Sequence, residues 1–158
     1  MSSRRITALR RYLTGLLLLL IVQFLSGMVT NLWVSIPSDV GGASTSYGLR
    51  LVQAAAWAGH HAPLALRLHA IVGVILGILA CIPIVYAIMS RSWRQCVLGL
   101  IGLLSVLGAA WAGLDFVLTG GNGSSMVMST TFIIAFVTFA LQWHGLHPSA
   151  SAMDPTHT

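Results

Sequence analysis

Four long apolar runs, separated by short polar stretches, organise the chain. Each run is close to the roughly 20 residues with which a helix crosses about 30 Å of hydrocarbon. The runs cover about residues 13–34, 64–89, 97–118 and 126–144. They predict an all-α fold in a single membrane domain: a transmembrane four-helix bundle with antiparallel, up-down neighbours. Residues 1–10 and 148–158 are predicted to be flexible cytoplasmic tails.

A short extra helix is expected between the first two runs. Residues 41–48 are rich in Gly and Ser, which is typical of a flexible linker, whereas Tyr47–Ala58 contains few helix breakers. Tyr47 and Trp57 are amphipathic aromatic residues of the kind that lie at headgroup level. The segment is therefore predicted to be an external interfacial helix. In the second run, Pro83 lacks a backbone N–H and predicts a kink.

Small and polar residues repeat at helical spacing inside the runs. In the first run they are Gln23, Ser26, Gly27, Thr30 and Asn31, in the second a GxxxG pair at Gly73 and Gly77, and in the fourth Ser124, Met128, Thr131, Ala135, Thr138 and Gln142. Helices in lipid associate through close packing of small residues and through interhelical hydrogen bonds. We therefore expect these faces to hold a monomeric bundle together. A polar lumen for a substrate or ion, and a dimer interface at the GxxxG pair, are the alternatives.

The composition excludes an ordinary soluble domain. Only 7% of the residues are charged, 56% are apolar, and the mean hydropathy is +0.87, whereas soluble domains carry about 25% charged residues. All eight basic residues are arginines. They are placed at the ends of the apolar runs rather than in one basic patch, so no nucleic-acid partner is expected.

The arginines also predict the topology. Six of them precede the first run or connect the second to the third: Arg4, Arg5, Arg10, Arg11, Arg91 and Arg94. By the positive-inside rule, both termini of a multi-pass cell-membrane protein are then cytoplasmic. A signal peptide is the alternative interpretation of the first run. Its length of about 22 residues, without an Ala-x-Ala site, favours a retained helix.

Ionisable residues within the runs are the candidate site residues, because placing such a group in lipid costs at least about 2.5 kcal/mol. Arg67 and His69 lie near the outer end of the second run, and Asp115 lies near the outer end of the third. Thr30 and Asn31 reach the same depth, so these residues are predicted to form an outer-leaflet polar layer. The simplest interpretation is an ion pair between Arg67 and Asp115, with His69 hydrogen-bonded to Asn31 or to a carbonyl.

Two other interpretations give this layer a ligand. In the first, His69 is an axial ligand of haem b, with Met126, Met128 or His61 on the opposite side of the iron. In the second, the layer binds a small molecule, such as a quinone, or a lipid headgroup. The sequence contains no Glu, no GxSxG, no Walker lysine and no HExxH, so neither a catalytic site nor a metal site is predicted.

Several segments carry a resemblance to known proteins. They are residues 27–37 (GMVTNLWVSIP), Trp57-Ala58-x-x-His61, Leu68-His69-Ala70-x-x-Gly73 and Ser124-Ser125-x-x-Met128. In them the chain resembles uncharacterised small four-span bacterial integral membrane proteins, which implies the topology and no particular chemistry. His69, at a helix end and followed by a small-residue face, is also similar to haem A synthase and di-haem cytochrome b bundles. That second likeness implies haem.

The expected function is that of a non-enzymatic structural or accessory membrane subunit without a cofactor. Its expected partners are the lipid bilayer and either further copies of the chain or a larger membrane complex. The first alternative is a b-type haem protein in electron transfer. The second alternative is a carrier or binder of a small molecule or lipid.

Overall fold

A computed structural model describes residues 3–37, 40 and 46–146 of the chain. That part contains helices and no strands. The helices are α1 (Ser3–Trp33), α2 (Tyr47–His60), α3 (Leu64–Leu79), α4 (Ile82–Met89), α5 (Trp93–Thr119) and α6 (Asn122–His144). Four stretches are long and apolar enough to cross a membrane, namely α1, α3 together with α4, α5 and α6. The predicted all-α class, with four such stretches, is confirmed.

Helices α1, α5 and α6 begin earlier than the corresponding apolar runs do, whereas α3 begins at Leu64 as predicted. Helix α1 starts at Ser3, so the expected flexible tail is helical from residue 3 to residue 10, and α5 starts at Trp93 rather than at 97. Arginine is a good helix former, and Leu9 is only 5% exposed because it packs in the core. The apolar pattern therefore marks the lipid-compatible part of each helix and not the helix end. Residues 148–158 lie outside the described residues.

One face of α1 runs along the whole molecule and changes character on the way. Its buried leucines are spaced alternately four and three residues apart: Leu9, Leu13, Leu16 and Leu20. The same steps continue through Gln23, Gly27 and Thr30, as in a heptad seam. The seam is therefore apolar in its first half and small and polar in its second half. Leu76 and Ala80 of the second stretch and Phe139 of α6 belong to the same core cluster as the leucines.

Helices α5 and α6 form a close antiparallel pair. The end of α5 meets the start of α6 where Asp115 contacts Ser124, and the start of α5 meets the end of α6 where Gln95 contacts Gln142. The turn between them uses Gly120, whose φ of +62° is the left-handed conformation that glycine adopts without strain. The seam predicted for α6 faces α5: Met128 packs against Gly113, Thr131 packs against Gly108, and Ala135 is fully buried. Phe139, next to that seam, packs against Gly102 of α5.

The second apolar stretch is interrupted, as its proline predicts. Helix α3 ends at Leu79, and α4 begins at Ile82, immediately before Pro83. Proline has no N–H to donate and its ring clashes with the carbonyl four residues earlier. Between the two helices, the amide of Cys81 bonds to the carbonyl of Ile78, three residues back. The helical ladder thus tightens for one turn ahead of the proline.

Helix α2 packs across the ends of α3 and α5. Its small residues, Ala54 and Ala58, are 0% and 3% exposed. Ala54 shares a second core cluster with Leu66 of α3 and Val117 of α5. The helix expected between the first two runs is therefore present, and it ends at His60, two residues beyond the predicted end.

The surface of the long helices is apolar, whereas part of their interior is polar. Leu18, Ile78 and Leu104 are 58–66% exposed. Gln142 and Thr138 are 0% and 5% exposed. Soluble domains place large aliphatic residues inside and polar residues outside. The reverse arrangement in these helices matches a hydrocarbon solvent, in which polar groups find partners only within the protein.

Candidate functional site

His69 projects from α3 into the polar half of the α1 seam. Its Nδ1 lies 2.9 Å from the hydroxyl of Ser26, and its Nε2 lies 3.3 Å from the side-chain nitrogen of Gln23. The same nitrogen of Gln23 donates to the backbone carbonyl of His69 at 3.2 Å. Two glycines allow this approach: a Cβ on Gly27 would lie 2.9 Å from Cε1 of His69, and one on Gly73 would lie 3.0 Å from Gln23.

These hydrogen bonds are mutually consistent in one tautomer of His69, and they leave the side-chain oxygen of Gln23 without a partner in the described residues. Ser26 donates its hydroxyl proton to the carbonyl of Gln23 at 2.9 Å, so Nδ1 of His69 must be the donor to the Ser26 oxygen. Nε2 is then the acceptor, and the amide of Gln23 donates to it. Both ring nitrogens of His69 are thereby engaged with α1. We call His69, Gln23 and Ser26 the histidine cluster.

Asp115 joins the ends of three helices. Its Oδ1 accepts a hydrogen bond from the hydroxyl of Tyr47 at 2.7 Å, and its Oδ2 accepts one from the hydroxyl of Ser124 at 2.5 Å. The backbone carbonyl of Asp115 also accepts a bond from Thr119, whose hydroxyl in turn caps the turn into α6. The bond to the carboxylate raises the pKa of Tyr47 above its ordinary value of 10.0. We call Asp115, Tyr47 and Ser124 the aspartate cluster.

Arg67 closes the turn between α2 and α3. Its Nη2 donates to the carbonyl of His60, at the end of α2, over 2.7 Å. Within the described chain, Arg67 and Asp115 do not form the ion pair expected from their common depth, because each side chain is directed to a different group. Equal depth along two helices does not fix the rotation of either one about its axis. The guanidinium reaches back along its own chain to a helix end, where a cation is favoured.

The other residues assigned to the polar layer are dispersed. Thr30 is 6% exposed and donates to the carbonyl of Ser26, one turn back on α1. Asn31 is exposed and is not a partner of His69. Asn31 and Ser26 lie on opposite sides of the α1 seam, and His69 bonds to the side that carries Ser26.

The side chains considered as second haem ligands are not part of the histidine cluster. Met126 is 72% exposed, Met128 packs against Gly113 of α5, and His61 is exposed beside His60. Ligation of iron by Nε2 of His69 would require the lone pair that accepts from Gln23. Among the described residues, no group of three His, Cys, Asp or Glu side chains is arranged to hold a metal ion.

A cavity of about 230 Å³ lies at the opposite end of the molecule, where α1 begins and α6 ends. Its lining includes apolar groups such as Leu9, Pro83 and Leu146 and the polar residues Tyr86, Ser90, Ser92, Gln95 and Gln142. We call it the glutamine cavity. Gln142 is fully buried, and its amide nitrogen donates to the backbone carbonyl of Gln95 at 3.1 Å. Gln95 returns a longer bond of 3.5 Å to the carbonyl of Gln142.

These reciprocal bonds fix the orientation of both amides, because only the nitrogen can donate to a carbonyl. The amide oxygen of each glutamine is therefore not used in this pair of hydrogen bonds. Oε1 of Gln95, Oε1 of Gln142 and the hydroxyl of Tyr86 are buried without a hydrogen-bond partner in the described part of the chain. Sequence reasoning placed Gln142 in a packing seam and missed Gln95 and Tyr86. Two glutamines at helix ends were a signal, but their convergence depends on how α4, α5 and α6 pack.

Comparison of the chain with protein-family models, with curated proteins and with solved structures finds no match. The resemblance described from the sequence therefore stays an expectation.

Proposed function

We propose that the chain is an integral protein of the cell membrane that crosses the bilayer four times as an antiparallel, up-down bundle. Support comes from the apolar surface of the four long stretches and from their polar interior contacts. The pairing of α1 with α3, and of α5 with α6, in opposite directions is consistent with this arrangement.

Both termini are cytoplasmic in this proposal. The arginines in the first part of α1 and around the connection from α4 to α5 mark the cytoplasmic end. Helix α2 and the turn between α5 and α6 are then external, with α2 at the interface. The glutamine cavity lies at the cytoplasmic end, and the histidine and aspartate clusters lie toward the external end.

We infer that the protein acts as a structural or accessory membrane subunit and not as an enzyme. One observation carries this inference: the ionisable groups predicted to form a site are engaged within the chain. Both nitrogens of His69, both carboxylate oxygens of Asp115 and a terminal nitrogen of Arg67 are hydrogen-bonded to other parts of the protein. Such contacts hold helices together, and each is worth roughly 0.6–2 kcal/mol in a membrane protein.

The histidine cluster gives the sharpest test of this role. His69→Ala removes the bonds to Gln23 and Ser26 and leaves a space, so we expect the free energy of unfolding in detergent to fall by about 2–4 kcal/mol. His61→Ala is the matched control, because His61 is exposed, and it should change that free energy by less than about 0.5 kcal/mol. Equal stability of the two variants would contradict the structural role.

A second measurement separates the structural role from haem binding. Protein purified after haem-replete expression is expected to show no Soret band, because Nε2 of His69 already accepts from Gln23. A Soret band that is lost in His69→Ala and kept in His61→Ala would overturn the proposal in favour of an electron-transfer protein. Native mass spectrometry from lipid particles then tests the accessory role. The expected result is a mass above that of the 16.8 kDa chain, and a monomer alone would contradict it.

A further inference from the structure

We propose that the glutamine cavity binds an uncharged hydroxyl-bearing group that donates hydrogen bonds to the amide oxygens of Gln95 and Gln142. The group is either a small molecule or the headgroup of a lipid. This proposal does not rest on the structural role given to the external end, because no residue of the histidine or aspartate cluster lines the cavity.

The first argument is the set of unpartnered atoms. Buried polar atoms in proteins are almost always hydrogen-bonded, and an exception calls for an explanation such as a bound molecule. Here the three residues that carry such atoms at this end of the molecule, Tyr86, Gln95 and Gln142, all belong to the lining of one cavity. Gln142 is 0% exposed and Gln95 is 9% exposed, so neither oxygen is compensated by bulk water. A ligand that donates hydrogen bonds to these oxygens removes the free-energy cost of burying them without a partner.

The second argument concerns the chemistry of the ligand. Amide oxygens only accept, so the ligand must donate, and they repel an anion. Among the residues that the structure describes, none that lines the cavity is charged. Arg91 and Arg94 lie in and next to the connection that borders the cavity, which disfavours a cation. The hydroxyl of Tyr86 both donates and accepts. A ligand hydroxyl matches this combination of groups, because it can donate to an amide oxygen and accept from Tyr86.

The third argument is size and lining. Engineered apolar cavities of about 150 Å³ accommodate benzene, so a cavity of about 230 Å³ has room for one six-membered ring or a glycerol unit with its substituents. The apolar lining residues, among them Leu9, Pro83 and Leu146, can cover the carbon skeleton while the polar lining residues hold the hydroxyls. The same volume would hold about eight water molecules at about 30 Å³ each. Water alone is therefore the competing occupant that the experiment must exclude.

The side-chain amide signals of the four glutamines provide the assay. In ¹⁵N-labelled protein in detergent micelles, Gln95→Met and Gln142→Met each remove one pair of signals and assign them. Phenol is the probe for a free molecule, and toluene, which lacks the hydroxyl, is the matched control. We expect phenol to shift the signals of Gln95 and Gln142 saturably and toluene not to do so. Gln53 is the internal control, because it lies on α2, away from the cavity.

A second arm distinguishes the lipid source. Protein in lipid nanodiscs of phosphatidylglycerol, whose anionic headgroup carries two hydroxyls, is compared with protein in phosphatidylmethanol, which has the same charge and no headgroup hydroxyl. Shifts of Gln95 and Gln142 in phosphatidylglycerol without a response to phenol would identify a headgroup as the ligand. Tyr86→Phe removes only one hydroxyl and is expected to fold. It should weaken whichever ligand binds by roughly 2- to 10-fold.

Several results would overturn the proposal. Equal responses to phenol and toluene would mean that the cavity accepts any apolar molecule. Shifts of equal size at Gln53 would mean a general effect of the probe on the micelle. No response to phenol or to phosphatidylglycerol would leave water as the only occupant.

Discussion

The contact between Gly27 and His69 predicts a large effect of a single methyl group. In Gly27→Ala the new Cβ would lie 2.9 Å from Cε1 of His69, closer than real Cβ contacts. The imidazole cannot turn away freely, because Ser26 and Gln23 hold its two nitrogens. The methyl group must therefore separate α1 from α3 or break at least one of these hydrogen bonds.

The magnitude follows from three contributions. Alanine is better than glycine in a helix by about 1 kcal/mol, which stabilises the variant. Overpacking a fitted contact costs about 1–3 kcal/mol, and each interhelical hydrogen bond that breaks costs about 0.6 kcal/mol or more. Gly15→Ala is the matched control on the same helix, because a Cβ at Gly15 would meet nothing within 4 Å. We expect Gly27→Ala to be less stable than Gly15→Ala by about 1.5–3.5 kcal/mol, taking the latter two costs together.

Unfolding in mixed micelles, followed by far-ultraviolet circular dichroism, measures this difference directly. Using Gly15→Ala as the reference cancels the helix propensity of alanine, so the remaining difference reports on the contact with His69. Equal unfolding free energies for Gly27→Ala and Gly15→Ala would refute the reasoning, because the histidine would then have room to move at no cost.

Three further predictions concern other contacts. A double-mutant cycle of Arg67→Ala and Asp115→Ala should give a coupling energy below about 0.5 kcal/mol, because the two side chains have different partners; a larger coupling would restore the ion pair. The unaltered chain should be more stable than Tyr47→Phe up to pH 10.0, and this difference in unfolding free energy should decline at higher pH. The reason is that the pKa of Tyr47 is raised in the folded protein, so folding favours the protonated hydroxyl. A difference that is unchanged at pH 12 would contradict this. Gly102→Ala should have an unfolding free energy about 1–3 kcal/mol below that of Gly15→Ala, because its Cβ would lie 2.7 Å from the buried ring of Phe139; equal unfolding free energies for these two variants would contradict it.

The sequence predicts the helices and their packing faces well, because both depend on local pattern. The break before Pro83 and the seam of α6 follow from proline chemistry and from residue spacing. Helix ends are predicted less well. Helix α1 already begins at Ser3, in an arginine-rich turn that the apolar pattern does not include.

The partners of polar side chains could be predicted only in part. Spacing placed Gln23 and Ser26 on the inner face of α1, but the sequence could not align that face with His69, since the alignment depends on the offset between α1 and α3. Arg67 and Asp115 lie at a similar depth, but their side chains bond to different partners. The direction of a side chain toward a neighbouring helix cannot be read from residue spacing alone. The glutamine cavity arises where several helix ends meet, and no single helix carries its signature.

Reporter fusions test most directly the claim that four stretches thread the membrane with both termini inside. Alkaline phosphatase and green fluorescent protein are each fused in turn after Pro37, Arg91, Gly121 and Leu146, at the ends of the stretches. The account predicts phosphatase activity after Pro37 and Gly121, and fluorescence after Arg91 and Leu146. Phosphatase activity after Leu146, or fluorescence after Pro37, would contradict it.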